Sequence, residues 1–406
     1  MKTKQSLVKR IGTSNIIIVL MQLCMYPYLF FYFWRLPDAN VVSVVFFVII
    51  LLLCLNKNKL RGSVHPTITI MMLLQSAVWF LYCLGYNDTS YLVRIFFILL
   101  AYLALLLLSK DKSIIKFSKV YNYTIFIQGI LGILAFILIF INILKPFSSI
   151  SFNEQGDLYE FYGLTFVKVH IGNFARINGY FDEPGAFAFW GIFALLFNKL
   201  LFDNKIMEIV LIVSLLFTFS SAYFVLLPIY LIWFYGKSFK AQMIMIVLFV
   251  PLFFLTSKYL SNNEGFSKYT IGRFEDGRIR STRYDQADYA KSIFYSSPLF
   301  GVGAQKLEDD FGNRSSDNPY EILAKDGVFG CFFTYLPLVF IAFRFGRRKE
   351  ISGAILLLAL DYLQRPFHIN EMHYFMLYLF CFLVLLKYER GPNESSRTSN
   401  LFITAK

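Results

Sequence analysis

The sequence predicts an all-α, polytopic integral membrane protein with about twelve transmembrane helices. Two observations predict it. Of 406 residues, 57% are hydrophobic and only 16% are charged, against about 45–50% and about 25% in soluble domains. Apolar runs long enough to cross a bilayer also recur along the whole chain. The formal charge of +13 does not point to nucleic acid. Most of the Lys and Arg residues sit in short segments between apolar runs, where they set topology and meet anionic lipid.

The first run, 15–34, follows the basic stretch Met1–Arg10. It is too long for a signal-peptide core and reads as the first span. Further runs lie at 39–55, 65–84, 91–109, 120–144, 184–202, 205–220, 221–236, 240–257, 326–345, 350–364 and 371–388. The split at Ser220-Ser221 is needed because a single helix over 205–236 would exceed the ~30 Å apolar layer by about half. With a cytoplasmic N-terminus, the inner segments collect most of the basic residues, among them Lys57, Lys59, Arg61, Lys110, Lys116, Lys119, Arg347 and Arg348. The short outer loops at 35–38 and 85–90 hold only Arg35. This positive-inside bias places both termini in the cytoplasm. Residues 1–388 form one membrane domain, and 389–406 reads as a disordered cytoplasmic tail. The five cysteines (Cys24, Cys54, Cys83, Cys331 and Cys381) lie in or beside apolar runs, with neither disulfide nor zinc spacing.

Two long polar segments, about 145–183 and 258–325, fall on the outer face. The first ends in Arg176-Ile-Asn-Gly-Tyr-Phe-Asp-Glu-Pro-Gly185. An arginine and two carboxylates at the mouth of a membrane helix are costly to place there for packing alone. The second holds Arg273-Phe-Glu-Asp-Gly-Arg278-Ile-Arg280-Ser-Thr-Arg283. Arg280 and Arg283 share a helix face, and the following stretch, 284–295, reads as an amphipathic helix on the membrane surface. Guanidinium groups bond phosphate oxygens in pairs and keep their charge, so this cluster suits a diphosphate. The alternative is a solvated face paired to Glu275, Asp276, Asp285 and Asp288.

Next come Ser297-Pro-Leu-Phe-Gly-Val-Gly303, Asp317-Asn318 and Ala324-Lys-Asp-Gly-Val-Phe-Gly330. The Gly-x-Gly follows no buried strand and is not a nucleotide fingerprint. Asp317 and Asn318 fit N-caps as well as substrate contacts. A short outer loop at 365–370 carries Arg365 and His368, the latter equally readable as an interfacial polar residue. His373 is a weaker candidate, and His65 lies on the inner face. Within the spans, Arg94 and Asp361 are the charged exceptions, both toward outer ends.

In this order, Arg-x-x-Gly-x-Phe-x-Glu-Pro-Gly, Ser220-Ser221, Arg280-x-x-x-Tyr284, Pro298-Leu-Phe-Gly-Val-Gly303, Asp317-Asn318 and Gly327-x-x-Gly330 resemble the bacterial O-antigen polymerase and ligase superfamily over roughly 90–390. The resemblance implies a fold similar to the C-type glycosyltransferases. It implies transfer from undecaprenyl-diphosphate-linked oligosaccharides at the periplasmic face of the inner membrane. It further implies no metal or cofactor, and membrane lipid, a chain-length regulator and a repeat-unit flippase as partners. The ligase branch carries His before the Asn; Asp317 stands there, which favours the polymerase. Ligase and flippase or transporter remain the alternatives.

The chemistry assigns roles independently. Cations must hold the leaving diphosphate, for which Arg176, Arg278, Arg280, Arg283 and Arg365 are candidates, with Asn318 as a substrate contact. A base must take the acceptor proton, for which His368, Glu183 and Asp182 are candidates, with His368 and Glu183 the main rivals. No Asp-x-Asp spacing supports a metal-bound nucleotide sugar.

Overall fold

The computed structural model describes residues 13–23, 45–46, 48–49, 52, 63–109, 111–151, 158–168, 170–171, 174–236, 282–311, 318–364 and 371–389. They are mostly helical. The helices are α1 (Thr13–Leu23), α2 (Pro66–Tyr86), α3 (Ser90–Leu108), α4 (Asp111–Phe140), α5 (Pro184–Phe197), α6 (Lys205–Leu216), α7 (Ser221–Tyr235), α8 (Thr282–Ser296), α9 (Ala304–Phe311), α10 (Glu321–Thr334), α11 (Leu336–Phe345), α12 (Lys349–Gln364) and α13 (Glu371–Tyr388). Among the described residues, four stretches are long and apolar enough to cross a membrane: 66–86, 90–108, 113–140 and 184–202. A fifth arises if α10 and α11, bent by 42° at their junction, act as one broken span.

Local sequence explains most boundaries. His65 accepts the Thr67 N–H through Nδ1 at 3.3 Å and starts α2 ahead of Pro66. Asn87 closes α2 in the left-handed conformation, at φ 52°, which Asn tolerates better than most residues. Asn204 Oδ1 accepts from the Met207 N–H at 3.1 Å and caps α6. The chain turns between α6 and α7 at 217–220, beside the Ser220-Ser221 pair. α5 ends in a π-turn over Asn198–Phe202.

The bundle has two poles. At one, His65 meets Glu389 at 3.2 Å and Arg344 meets Glu389 at 2.9 Å. There too Lys349 Nζ donates to the Gly236 carbonyl at 2.6 Å, and Lys387 donates to the Leu200 carbonyl. These contacts gather the start of α2 and α12 with the ends of α5, α7, α11 and α13. The other pole carries the α2–α3 turn, the α6–α7 turn and the start of α5. Between the poles runs a continuous apolar core centred on α5 and α13, where Phe187, Phe193, Phe375, Leu379 and Cys381 are wholly enclosed.

Two findings depart from the sequence expectations. The segment at about 145–183, read from the sequence only as a long polar stretch, carries short strands. It holds β1 (Ser148–Ser151), β2 (Leu158–Phe161) and β3 (Phe166–Val167) in one antiparallel sheet, and β4 (His170–Ile171) with β5 (Phe174–Ala175) in another. The chain is therefore helical in its bundle but not wholly α. The 284–295 stretch is a helix, α8, and part of its apolar side packs on protein, with Tyr289 and Tyr295 left exposed. Ala290, Ile293 and Phe294 pack on Leu307 of α9 and Ala324 of α10. The sequence-predicted spans at 39–55 and 240–257, most of 15–34, and the tail lie mainly or wholly outside the described residues.

Candidate functional site

The first polar cluster sits at the mouth of α5. Pro184 opens the helix, where a missing N–H costs nothing. Glu183 before it is extended, and its carbonyl receives the Ala186 and Phe187 N–H groups at 3.1 and 3.2 Å. The Glu183 carboxylate does not cap the helix. It faces Lys168 Nζ at 3.4 Å. Lys168 lies 5.3 Å from the ring centre of Tyr159. Burial pushes the Tyr159 phenol up to about 12, with Lys168 opposing the shift. The backbone before Glu183 is clamped to α4: Gln128 Oε1 accepts from the Tyr180 N–H at 3.1 Å. Gly179 makes this approach possible. Its φ is +60°, and a Cβ there would come within 2.7 Å of Gln128 Oε1.

Arg176 reaches the end of α6. Its Nε donates to the Thr218 carbonyl at 3.0 Å and its Nη2 to the Phe219 carbonyl at 3.2 Å. The last carbonyls of a helix lack intrahelical partners, and a cation there is favoured by the helix dipole. Two of the five guanidinium donors thus fix the plane of Arg176 at this pole. The side chain braces the α6–α7 turn and presents positive charge on the segment that carries Asp182 and Glu183.

The second cluster joins parts of the chain far apart in sequence. Gly327 breaks α10 at φ 66° and ψ −176°. The 298–303 turn lies across the break: Val302 N donates to Ala324 O at 3.0 Å, Gly303 N to Lys325 O at 2.9 Å, and Val328 N to Pro298 O at 2.9 Å. The contact is so close that a Cβ on Gly327 would fall 2.4 Å from the Leu299 carbonyl carbon. Asp326, held at this break, is completely enclosed. Its Oδ2 accepts from Arg94 Nη1 at 2.6 Å and its Oδ1 from the Tyr91 hydroxyl at 2.9 Å. Its backbone carbonyl accepts from the Tyr82 hydroxyl at 2.6 Å. The Arg94 guanidinium also stacks over Trp79 at 4.6 Å and Tyr91 at 4.9 Å. Tyr335 Oη is buried near this pair with no hydrogen-bond partner among the described residues, and Trp79 Nε1 lies beside Tyr374 Oη.

Asp88 ties the same turn to α9. Its carboxylate accepts from Ser90 N at 2.9 Å and from Gln305 N at 2.8 Å. Burial would raise its carboxyl, but these hydrogen bonds and nearby Lys325 hold it below the usual carboxylate range. The start of α13 links the two clusters. His373 packs 4.9 Å from Trp190 and 5.3 Å from Phe189 on α5. The next residue, Tyr374, feels the field of Arg94 and Asp326.

Of the sequence-predicted site residues, the structure describes the side chains of Arg176, Glu183 and Asn318. Arg176 and Glu183 share one pole. Asn318 is buried, and its Oδ1 accepts from the Tyr320 N–H at 3.0 Å in the turn before α10. Arg283 lies in the first turn of α8, where the backbone alone is described. Arg278, Arg280, Arg365 and His368 lie outside the described residues. Asp326, Tyr91 and Trp79 escaped sequence reading. Arg94 in an apolar span was the available signal, because an intramembrane arginine requires a partner. Compared with known protein families, curated proteins and solved structures, the chain matches none.

Proposed function

We propose that this protein is a membrane glycosyltransferase of the O-antigen polymerase type. In this reading about twelve spans carry the chain, the pole with Arg176 and Glu183 faces the periplasm of a bacterial inner membrane, and the donor is an undecaprenyl-diphosphate-linked oligosaccharide. The observation that supports it is the cluster of Lys168, Asp182 and Glu183 at the mouth of an apolar helix bundle, with Arg176 at the same pole. A lipid-diphosphate substrate requires such a junction, with cations beside water and an apolar flank for the polyprenyl chain.

In the proposed step an acceptor hydroxyl attacks the anomeric carbon of the donor sugar. The bond from that carbon to the diphosphate oxygen breaks, and its electron pair leaves with the diphosphate. Arg176, with Arg278, Arg280, Arg283 and Arg365 from the neighbouring segments, neutralises the departing charge. The hydroxyl proton passes to His368 or Glu183. Neither a metal nor a cofactor has a role in this scheme.

The test is reconstitution in lipid with a diphosphate-linked repeat unit, followed by a product ladder. Polymer should form in EDTA. Glu183→Gln and His368→Ala separate the two bases: the true base abolishes transfer while donor binding persists. Absence of any chain extension by wild-type protein with authentic donor and acceptor would overturn the polymerase reading. Export of the lipid-linked unit without bond formation would replace it with transport.

A further inference from the structure

We infer that the strand-bearing segment beyond α4 is seated in the outer boundary of the lipid bilayer, with Ile143 and Phe147 entering the layer between headgroups and acyl chains. The inference rests on α4 as a membrane span, not on the transferase reading. No charged residue stands between 120 and 144. The helical part of that run, 120–140, is about 31 Å long, which matches the ~30 Å apolar layer. One edge of the layer therefore falls near the last turn of α4.

The surface of α4 is divided at that end. One side is exposed and apolar along Tyr123, Ile127, Ile130, Leu134, Ile137 and Ile141. This spacing is one helix face, and in a span it faces lipid. The other side is covered by the strand segment: Tyr162, Val167 and Ala175 pack on Ala135 and Ile139. Ala135 lies about 7.5 Å along the axis before Phe140. The strands thus lie beside the outermost part of the apolar layer and do not stand clear of it.

The apolar surface continues past the helix. Asn142, at φ 57°, closes α4, and the Ile143 N–H donates to the Leu138 carbonyl at 2.9 Å. Ile143 is 68% exposed and Phe147 73%. Phe147 is held in place. Its N–H donates to the Phe161 carbonyl at 2.8 Å, and its ring lies over Gly163, where a Cβ would come within 2.9 Å of it. A single exposed isoleucine needs no explanation. Here two large apolar side chains extend a face that already meets lipid. Between them, Lys145 is exposed and without a partner among the described residues. A lysine at the end of an apolar run reaches the headgroup phosphates while its stem stays in the apolar boundary. Continuity with the α4 face and this cation select a phospholipid surface over a second protein. β3 is also tied to the backbone before α5, with Phe166 N donating to Gly179 O at 2.8 Å. The Lys168–Glu183 contact is therefore carried at headgroup depth.

The experiment uses full-length protein in vesicles of phosphatidylcholine and phosphatidylglycerol, with the five native cysteines replaced by alanine. Ile130→Cys, Ile143→Cys and Phe147→Cys each carry an environment-sensitive fluorophore. The quenchers are aqueous iodide, a lipid nitroxide near the headgroup and a lipid nitroxide near the chain end. Labels at positions 143 and 147 should be quenched at least about twofold more by the headgroup-side nitroxide than by either other quencher, as expected of side chains about 5–10 Å into the boundary. The label at position 130 should respond most to the chain-end nitroxide. Strong iodide quenching at 143 and 147, with 130 in lipid, would place the segment in water and overturn the inference. Shielding of both labels from all three quenchers would mean that protein covers the segment, and would overturn it too. If position 130 does not respond to lipid, α4 is no span and the inference falls with it. If the cysteine-free protein fails to fold, a photoactivatable phenylalanine at position 147 of otherwise wild-type protein decides: adducts to phospholipid uphold the inference, and adducts to protein, or none, overturn it.

Discussion

Removing either partner of the Arg94–Asp326 pair should destabilise the protein far more than removing both. The pair is 2.6 Å from Nη1 to Oδ2, and the Asp326 side chain is 0% exposed. For charge centres roughly 4 Å apart at an effective dielectric of about 20, the gross attraction is about 4 kcal/mol. Most of that offsets the cost of desolvating both ions. Asp326→Ala leaves a guanidinium enclosed by Trp79 and Tyr91, and also strips the Tyr91 hydroxyl of its acceptor. The expected loss is about 3–5 kcal/mol. Arg94→Met leaves a buried carboxylate with one phenol and should cost a similar amount. The double variant buries neither charge, so it should cost less than either single variant, and the cycle should return a coupling energy larger than either single loss. Equilibrium unfolding of purified protein in mixed micelles measures all four proteins. Single variants that each cost less than about 1 kcal/mol, with additive effects, would show the pair to be water-accessible and refute the reasoning.

Four further outcomes follow from the geometry. Arg176→Lys should lose chain extension nearly as fully as Arg176→Ala, since an ammonium cannot bridge the Thr218 and Phe219 carbonyls in one plane; a full product ladder from the Lys variant at normal protein level would contradict this. Gly327→Ala should abolish folded protein on size exclusion, because both its positive φ and the Leu299 backbone forbid a Cβ. Gly85→Ala, with nothing within 4 Å of the new methyl, should fold normally and gain up to about 1 kcal/mol in unfolding experiments. Asp88 has a depressed folded pKa, so its contribution is present above the unfolded carboxylate pKa and is lost as pH falls through the folded value; unfolding midpoints should drop in acid for wild type and less steeply for Asp88→Asn.

Sequence reading located most of the described helices because the signal is local and large. α2, α3, α5, α7, α12 and α13 begin and end within a few residues of their apolar runs. It also found the turn near Ser220-Ser221, since length alone forces a break there. The strands escaped notice because each has two to four residues. Their stability comes from pairings such as Glu160 with Val167, not from any run of β-formers. At the site, Arg176 and Glu183 were legible as charges at a helix mouth. The brace from Arg176 to Thr218 was not, because it depends on where another helix ends. Asp326 was read only as the first residue of the 326–345 run, since its counterion lies 232 residues earlier. The packing of 284–295 on α9 and α10 was not legible for a related reason: an apolar face does not announce whether lipid or protein will cover it.

That same separation has a consequence for biogenesis. At a synthesis rate of about 5–20 residues per second, the 232 residues between Arg94 and Asp326 take roughly 12–46 s to make. Throughout that interval the α2–α3 hairpin exists without its counterion. Arg94 lies four residues into α3, about 6 Å from its start, close enough for a long side chain to reach the headgroup region while it waits. An arginine one or two turns deeper would be stranded in hydrocarbon for the whole delay. Its position near the helix mouth therefore answers a demand of nascent-chain timing as well as one of the finished bundle. Moving the arginine and its partner inward together would preserve the pair on paper and leave the hairpin unable to wait for it.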